Sequence, residues 1–252
     1  MNNQLLSCIL RIARLMVESG AEIYRVEESI LRVCRAYGAE QVDVYATTSN
    51  IVVSVEMPGY EILTHTGRIQ RIVNHVERVD KLNSLVRYMT AQAPDVEEVE
   101  KELEKLKEVH SYSRGAHVMS YGIIAGMFCL FFGARSAAEM VLATAIGCSL
   151  GVCSIMLEDL EANKLLIRFV GSFLASLLAY LSLKIGLVEQ VDYIIIGNIM
   201  TLIPGVGLTN ALRDLFTGDN LSGALRLIEA VLMAFVIAAG YVLVSYLFGG
   251  LV

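Results

Sequence analysis

Beyond Arg114 the chain is nearly stripped of charge: its last 138 positions hold 6 of the 20 basic and 9 of the 26 acidic side chains, set between long apolar runs. Apolar runs of about 18 residues or more match the thickness of a bilayer and rarely occur in soluble cores. This part reads as membrane-spanning, with five all-α spans at about 115–132, 136–157, 166–187, 191–212 and 222–248. Residues 1–114 carry the other 14 basic side chains, and the bias of Lys and Arg toward the cytoplasm puts them there. The short loops agree, with Lys164, Arg168, Arg213 and Arg226 on that side and Arg135 and Lys184 on the other. An odd number of spans then leaves Leu251 and Val252 outside. Residues 1–20 carry Arg11, Arg14 and Glu18 in an amphipathic pattern, unlike a cleaved secretory signal.

The fourth span breaks. Its apolar run opens at Val191 and meets Pro204, Gly205 and Gly207 after only about 13 residues, short of the ~20 that a straight crossing needs. A helix broken inside the membrane is one account; a proline kink re-satisfied by neighbouring helices is the other. A half-helix starting near Leu208 would aim free amides and a positive dipole end at the membrane interior, an arrangement that attracts carboxylates. Gly205 and Gly207 permit backbone shapes closed to other residues. Thr209 stands where its hydroxyl either binds a substrate or caps the half-helix, and Asn210 follows it. Asn198 and Thr201 share the face leading to the break, where they serve a substrate or bond a neighbouring helix. Asn198, Thr201, Pro204, Gly205, Gly207, Thr209 and Asn210 form the candidate substrate site.

Farther along, Arg213 and Asp214 come near the cytoplasmic headgroups and read as gate or interface residues. Arg226 and Glu229 lie three apart, so they form an interfacial ion pair or Glu229 carries coupling protons. Glu139, a few residues inside the second span, is interfacial or an outward-side proton site.

The first part reads as an α+β domain over residues 1–94. Leu5, Leu6, Ile9, Ile12, Ala13, Met16 and Val17 recur at helical spacing until Ser19 and Gly20. Ile23, Val26, Ile30, Val33, Cys34 and Tyr37 repeat the pattern up to Gly38, completing a helical hairpin. From Gln41 the period becomes two, and strands are expected at Val42–Ala46, Ile51–Val55 and, after the Pro58–Gly59 turn, Glu61–Thr66. Helical spacing resumes with Ile69, Ile72, Val73, Val76, Val79, Leu82, Val86 and Met89. Residues 95–114 form an amphipathic connector whose stripe, Val96, Val99, Leu103 and Leu106, packs on this domain or coils against a second copy.

A net charge of −6 without a clustered basic face argues against nucleic acid. Cys8, Cys34, Cys129, Cys148 and Cys153 lie on predicted helices, so buried reduced thiols are expected, without disulfides or a metal site. Ser49, His65, His75 and Asp80 are types that catalysis uses, but no nucleophile elbow, zinc motif or phosphate loop organises them.

Two stretches carry a resemblance. SGAEIYRVEESI, Ser19 to Ile30, resembles the early signature of the threonine/serine exporter family, with Gly20 at a helix junction before Arg25, Val26, Glu27 and Glu28. PGVGLTNALRDLFTGDNLSGALR, Pro204 to Arg226, resembles its intramembrane signature. Single-chain members carry about ten spans in two unequal halves, whereas this chain resembles the split form, whose large subunit works with a small all-membrane partner. For the split form the resemblance implies export of a dicarboxylate such as succinate. For the fused form it implies export of threonine and serine driven by the proton-motive force.

The expectation is thus one component of a secondary exporter of small polar carboxylates in a bacterial inner membrane, needing no cofactor. It needs a small membrane partner, or a homo-oligomer supplies the second half. A membrane-anchored sensor whose cytosolic domain is the active part is the rival, and a membrane enzyme the third reading. An anchor has no use for a Pro-Gly break flanked by Asn and Thr; a carrier has.

Overall fold

The computed structural model describes residues 3–107 and 112–248. Residues 108–111 of the connector, and the chain end whose side of the membrane was inferred above, lie outside the described residues. The chain divides into two compact units, Met1–His110 with Val206–Leu227, and Ser111–Gly205 with Ile228–Val252. This partition cuts across the division expected at residue 114, because the segment after the break belongs to the first unit.

In the first unit, α1 (Asn3–Glu18) and α2 (Ile23–Ala36) form the hairpin. Strands β1 (Gln41–Ala46), β2 (Asn50–Glu56) and β3 (Leu63–Arg68) follow as an antiparallel meander in the order β1-β2-β3. Pairing of Val44 with Val53 and of Val53 with His65 sets its register. Ile51, Val53 and Val55 are fully buried, so one sheet face closes on the helices, as period-two alternation requires.

Helix α3 (Val76–Gln92) starts later than the spacing from Ile69 suggests. The intervening backbone is used otherwise: the Val73 N–H donates to the Glu18 carbonyl at 2.7 Å and that of His75 to Ser19 at 2.9 Å. His75 then caps α3 by accepting from the Arg78 amide. In α4 (Val96–Lys107), Val99 and Leu103 are fully buried in the core of this unit. The connector stripe therefore packs on its own domain, and Arg11 ties the outer face through Glu100 at 3.1 Å and Glu104 at 2.9 Å. Cys8 and Cys34 are buried in the same core, where desolvation pushes the Cys34 thiol up to about 12.

The second unit holds α5 (Arg114–Phe131), α6 (Ala137–Asp159), α7 (Lys164–Lys184) and α8 (Asp192–Met200). It also holds the greater part of α10 (Asn220–Phe248). Helix α9 (Gly205–Thr217) lies almost wholly in the first unit. Among the described residues three helices, α6, α7 and α10, are long and apolar enough to cross a membrane, or up to four if α8 and α9 count as one broken span. Helix α5 coincides with the first expected span but is not among them, since Arg114 and His117 in its opening turn dilute its hydropathy. A mostly helical chain with a small sheet and three to four apolar spans is what the structure supports.

Candidate functional site

The junction between α1 and α2 is only four residues long, Ser19 to Glu22, and its last three residues, with Ile23 that opens α2, are held from the same distant segment. Helix α1 ends in a Schellman turn, with Ala21 N–H on the Met16 carbonyl at 3.0 Å and Gly20 N–H on that of Val17 at 2.9 Å. Gly20 takes φ +90°, and a Cβ there would run into the Asn74 side chain, so glycine is required on both counts. The turn leaves its outward carbonyls unpaired. Asn210 donates to the Gly20 carbonyl at 3.0 Å, and Arg226 donates to that of Ala21 at 3.1 Å. Arg213 bonds the Glu22 carboxylate, and the Ile23 N–H donates to the Asp214 carboxylate at 3.4 Å. Residues 20, 21, 22 and 23 are thus each gripped by a side chain from α9 or the start of α10, roughly 190 positions away.

Electrostatics explain why these side chains are charged. Ile23 opens α2, whose first amides are orphan donors at a positive dipole end. Glu22, at the N-cap, makes no cap bond. Its carboxylate is engaged by Arg213 and, at 2.7 Å, by the Arg25 Nε. Asp214, fully buried, supplies the missing anion at the helix end. Its second oxygen lies 3.5 Å from the Arg226 Nε, close enough for ion pairing but without hydrogen-bond alignment. Arg226 is thereby committed to Asp214, and the ion pair expected between Arg226 and Glu229 does not form; Glu229 is exposed on α10.

The turn between α9 and α10 repeats the device. Gly218 at φ +98° closes a second Schellman turn, with Asp219 N–H on the Asp214 carbonyl at 2.9 Å. A Cβ on Gly223 would stand 2.9 Å from the Ala211 carbonyl, so only glycine lets α10 lie this close to α9. The opposite face of α9 exposes Leu208, Leu212 and Phe216. Polar residues face the hairpin while apolar ones face outward.

The expected substrate residues are divided between the two units. Asn198, Thr201, Pro204 and Gly205 fall in the second unit, and Gly207, Thr209 and Asn210 in the first. The fully buried Asn198 side chain donates to the carbonyls of Ile194 at 2.9 Å and Ala143 at 3.3 Å, while its Oδ1 has no partner among the described residues. Thr201 closes the end of α8 by donating to the Asn198 carbonyl at 2.7 Å. Pro204, lacking an N–H, sits between α8 and α9 and ends the helix there. Gly205 and Gly207 hold helical backbone without positive φ, so conformational freedom is not the reason for glycine at either position. A Cβ on Gly205 would meet open space. Thr209 is exposed on α9. Glu139 completes a capping box with Ser136, accepting from the Arg135 and Ser136 amides at 3.2 and 3.4 Å. Glu27 accepts from the Ala46 N–H at 2.7 Å, fixing α2 to β1, and Glu28 pairs with Arg32 on the surface.

The sequence matches, over residues 7–248, the family model described as "Putative threonine/serine exporter". The chain belongs to this family. It is 24% identical over 241 residues to the "Probable succinate transporter subunit YjjP" of Klebsiella aerogenes, covering 95% of this chain and 92% of that one. It is 25% identical over 241 residues to the "Threonine/serine exporter" of Corynebacterium glutamicum, covering 91% of this chain but 48% of that protein. No solved structure matches the chain.

As a member of the threonine/serine exporter family the chain is a multi-pass inner-membrane protein of the transporter class, not an enzyme. The two stretches that carry the family likeness are the two that grip one another. Sequence reasoning treated them as separate motifs and left out Glu22, the centre of the ion cluster, although it lies inside the first motif. The signal was there in Glu22 standing three before Arg25, a helix-spaced ion pair.

Proposed function

We propose that this chain is one component of a secondary exporter for small polar carboxylates, an amino acid such as threonine or serine or a dicarboxylate such as succinate. The observation that carries the reading is an apolar span interrupted at Pro204, followed by a helix whose polar face is fastened to the hairpin junction. A helix that only anchored a domain would need neither the break nor four conjugate bonds. In a carrier, α9 would link a substrate held near the break to the unit carrying most of the charge. Asn198, Thr201, Gly205 and Thr209 are the residues we assign to substrate, with Arg213, Asp214 and Arg226 as the gate.

Helix α5 serves as the fifth span in this reading. It packs along α6 through Gly122 and Gly147, the small-residue contact that membrane helices use, and leaves Ile123, Met127 and Phe131 exposed for lipid. Five spans put the N-terminus in the cytoplasm and the C-terminus outside. The relative matched almost end to end is named a subunit, which supports a small membrane partner supplying the second half for alternating access. Proton-motive force drives export; with Glu139 engaged as a helix cap, Glu229 is the proton carrier we assign.

Counterflow in proteoliposomes with labelled threonine, serine and succinate, with and without a co-expressed small membrane protein, tests this. Exchange of one substrate that requires the partner is expected. Absence of exchange for all three, with a partner present, overturns the reading and favours a membrane-anchored sensor.

A further inference from the structure

Beside the clamp, and wholly within the first unit, lies a cleft of about 120 Å³ lined by Ser19, Glu22, Arg25, Asn74, Asn83 and Asn210. Such a volume holds several water molecules or one metabolite of a few heavy atoms. We infer that this cleft, to which α9 contributes Val206 and Asn210, is a binding site for a small carboxylate. Three observations converge on a ligand of that chemistry.

The first is charge. Three guanidiniums, Arg25, Arg213 and Arg226, stand around two carboxylates, Glu22 and Asp214, and of the three it is Arg25 that lines the cleft, beside Glu22. The second is geometry. Arg25 spends only its Nε, on Glu22 and on the Tyr24 hydroxyl, and its two terminal nitrogens have no partner among the described residues. Two parallel N–H groups of a half-exposed guanidinium match the two oxygens of a carboxylate. The third is a set of polar groups. Ser19 is 2% exposed and its hydroxyl has no partner, a cost that a folded protein normally avoids. The Asn74 and Asn83 side chains, exposed and half-buried, stand on the same wall as further polar groups. A hydroxyl, an ammonium or a second carboxylate on the ligand would answer them, while Val76, Val79 and Val206 close the apolar flank.

Because Glu22 and Asn210 belong to both the cleft and the clamp, occupancy here bears on how firmly α9 is held. The choice of probes rests on the proposed export; the site itself does not. Equilibrium binding of labelled threonine, serine and succinate to the full chain in detergent is the test. Saturable binding of one of them is expected, weakened roughly tenfold or more by Arg25→Met and by Asn83→Leu, which narrows the cleft without touching a clamp bond. Phe235→Ala, exposed in the second unit and remote in sequence from every residue assigned to substrate, should leave it unchanged. Wild-type binding in both cleft variants, or no saturable binding of any probe, overturns the site. If the cleft binds but no substrate exchanges across proteoliposomes, the export reading falls and this one stands. If exchange occurs while the cleft variants bind normally, the reverse holds.

Discussion

The first unit buries large side chains completely, among them Leu6, Met16, Ile23, Ile30, Ile51, Leu82 and Met89. The second buries a few large side chains as fully, Leu150, Ile194 and Leu202, but also Ala125, Ala143, Ala175, Ala179, Ser172 and Ser176, and leaves Ile123, Phe131, Val231 and Phe235 exposed. Water makes the difference intelligible. Where the surroundings are aqueous, removing bulky apolar surface drives folding; where they are lipid, that gain vanishes and close backbone approach takes over. A Cβ on Gly197 would stand 2.6 Å from the Ala125 carbonyl, and one on Gly240 2.7 Å from that of Phe169. Serines in the second unit donate to helix carbonyls, as Ser172 does to Ile237 across α7 and α10 at 2.6 Å. The clamp follows a third rule, that of buried charge whose partners come from far along the chain.

The largest effect is expected where buried charge is uncompensated. Asp214→Ala strands Arg226 and the Ile23 N–H together, and such losses cost about 3–5 kcal/mol. Thermal unfolding and proteolysis at the α1–α2 junction would register it, along with loss of export; wild-type behaviour in both would reduce the clamp to a passive contact. Next comes Leu82→Ala, fully buried in the first unit, at about 2–5 kcal/mol. Phe235→Ala, which removes a larger but 71% exposed side chain in the second unit, should leave stability in detergent nearly unchanged. Equal losses at the two positions would break the comparison. Smaller again is Gly147→Ala, whose Cβ would lie 2.7 Å from the Tyr121 carbonyl. Overpacking of about 1–3 kcal/mol is expected, read as a lowered unfolding temperature of the second unit. An unchanged temperature would mean that α5 and α6 separate without cost.

Periodicity made most of the architecture legible. The hairpin, the meander and the apolar helices leave a local trace, because the spacing of Ile9, Ile12 and Met16, or the alternation around Val53, follows directly from which face is buried. Helix α3 starts later than the spacing suggests because Ile69 and Ile72 carry helix-like spacing, while the Ile69 N–H donates to Ser49 and those of Val73 and His75 to the end of α1, partners distant in sequence. The same limit hid the clamp. Asp214 caps a helix that begins 191 positions earlier, and no local pattern records such a bond. Glycine marks a junction at Gly20, where φ is positive, whereas at Gly205 and Gly207 the freedom that glycine permits is not used and α9 simply begins.

The smallest expected effect probes the seam between α2 and β1. Glu27 is half-buried, and burial holds its carboxyl above the usual carboxylate range, partly opposed by the Ala46 N–H it accepts from and reinforced by the nearby Asp219. Its folded value therefore lies above its unfolded one, and the folded state binds the proton more tightly. Stability from this group is fully present below the unfolded value and is lost as pH rises through the folded one. Glu27→Gln keeps an acceptor for Ala46 but cannot ionise. As pH rises from the ordinary glutamate value of about 4 through the raised folded one, the wild type should lose stability relative to the glutamine variant, which would be the more stable of the two once Glu27 is ionised. Unfolding midpoints of both proteins measured across that range decide the matter. Parallel curves would show that Glu27 is solvated well enough to ionise freely, leaving its bond to Ala46 as its whole contribution.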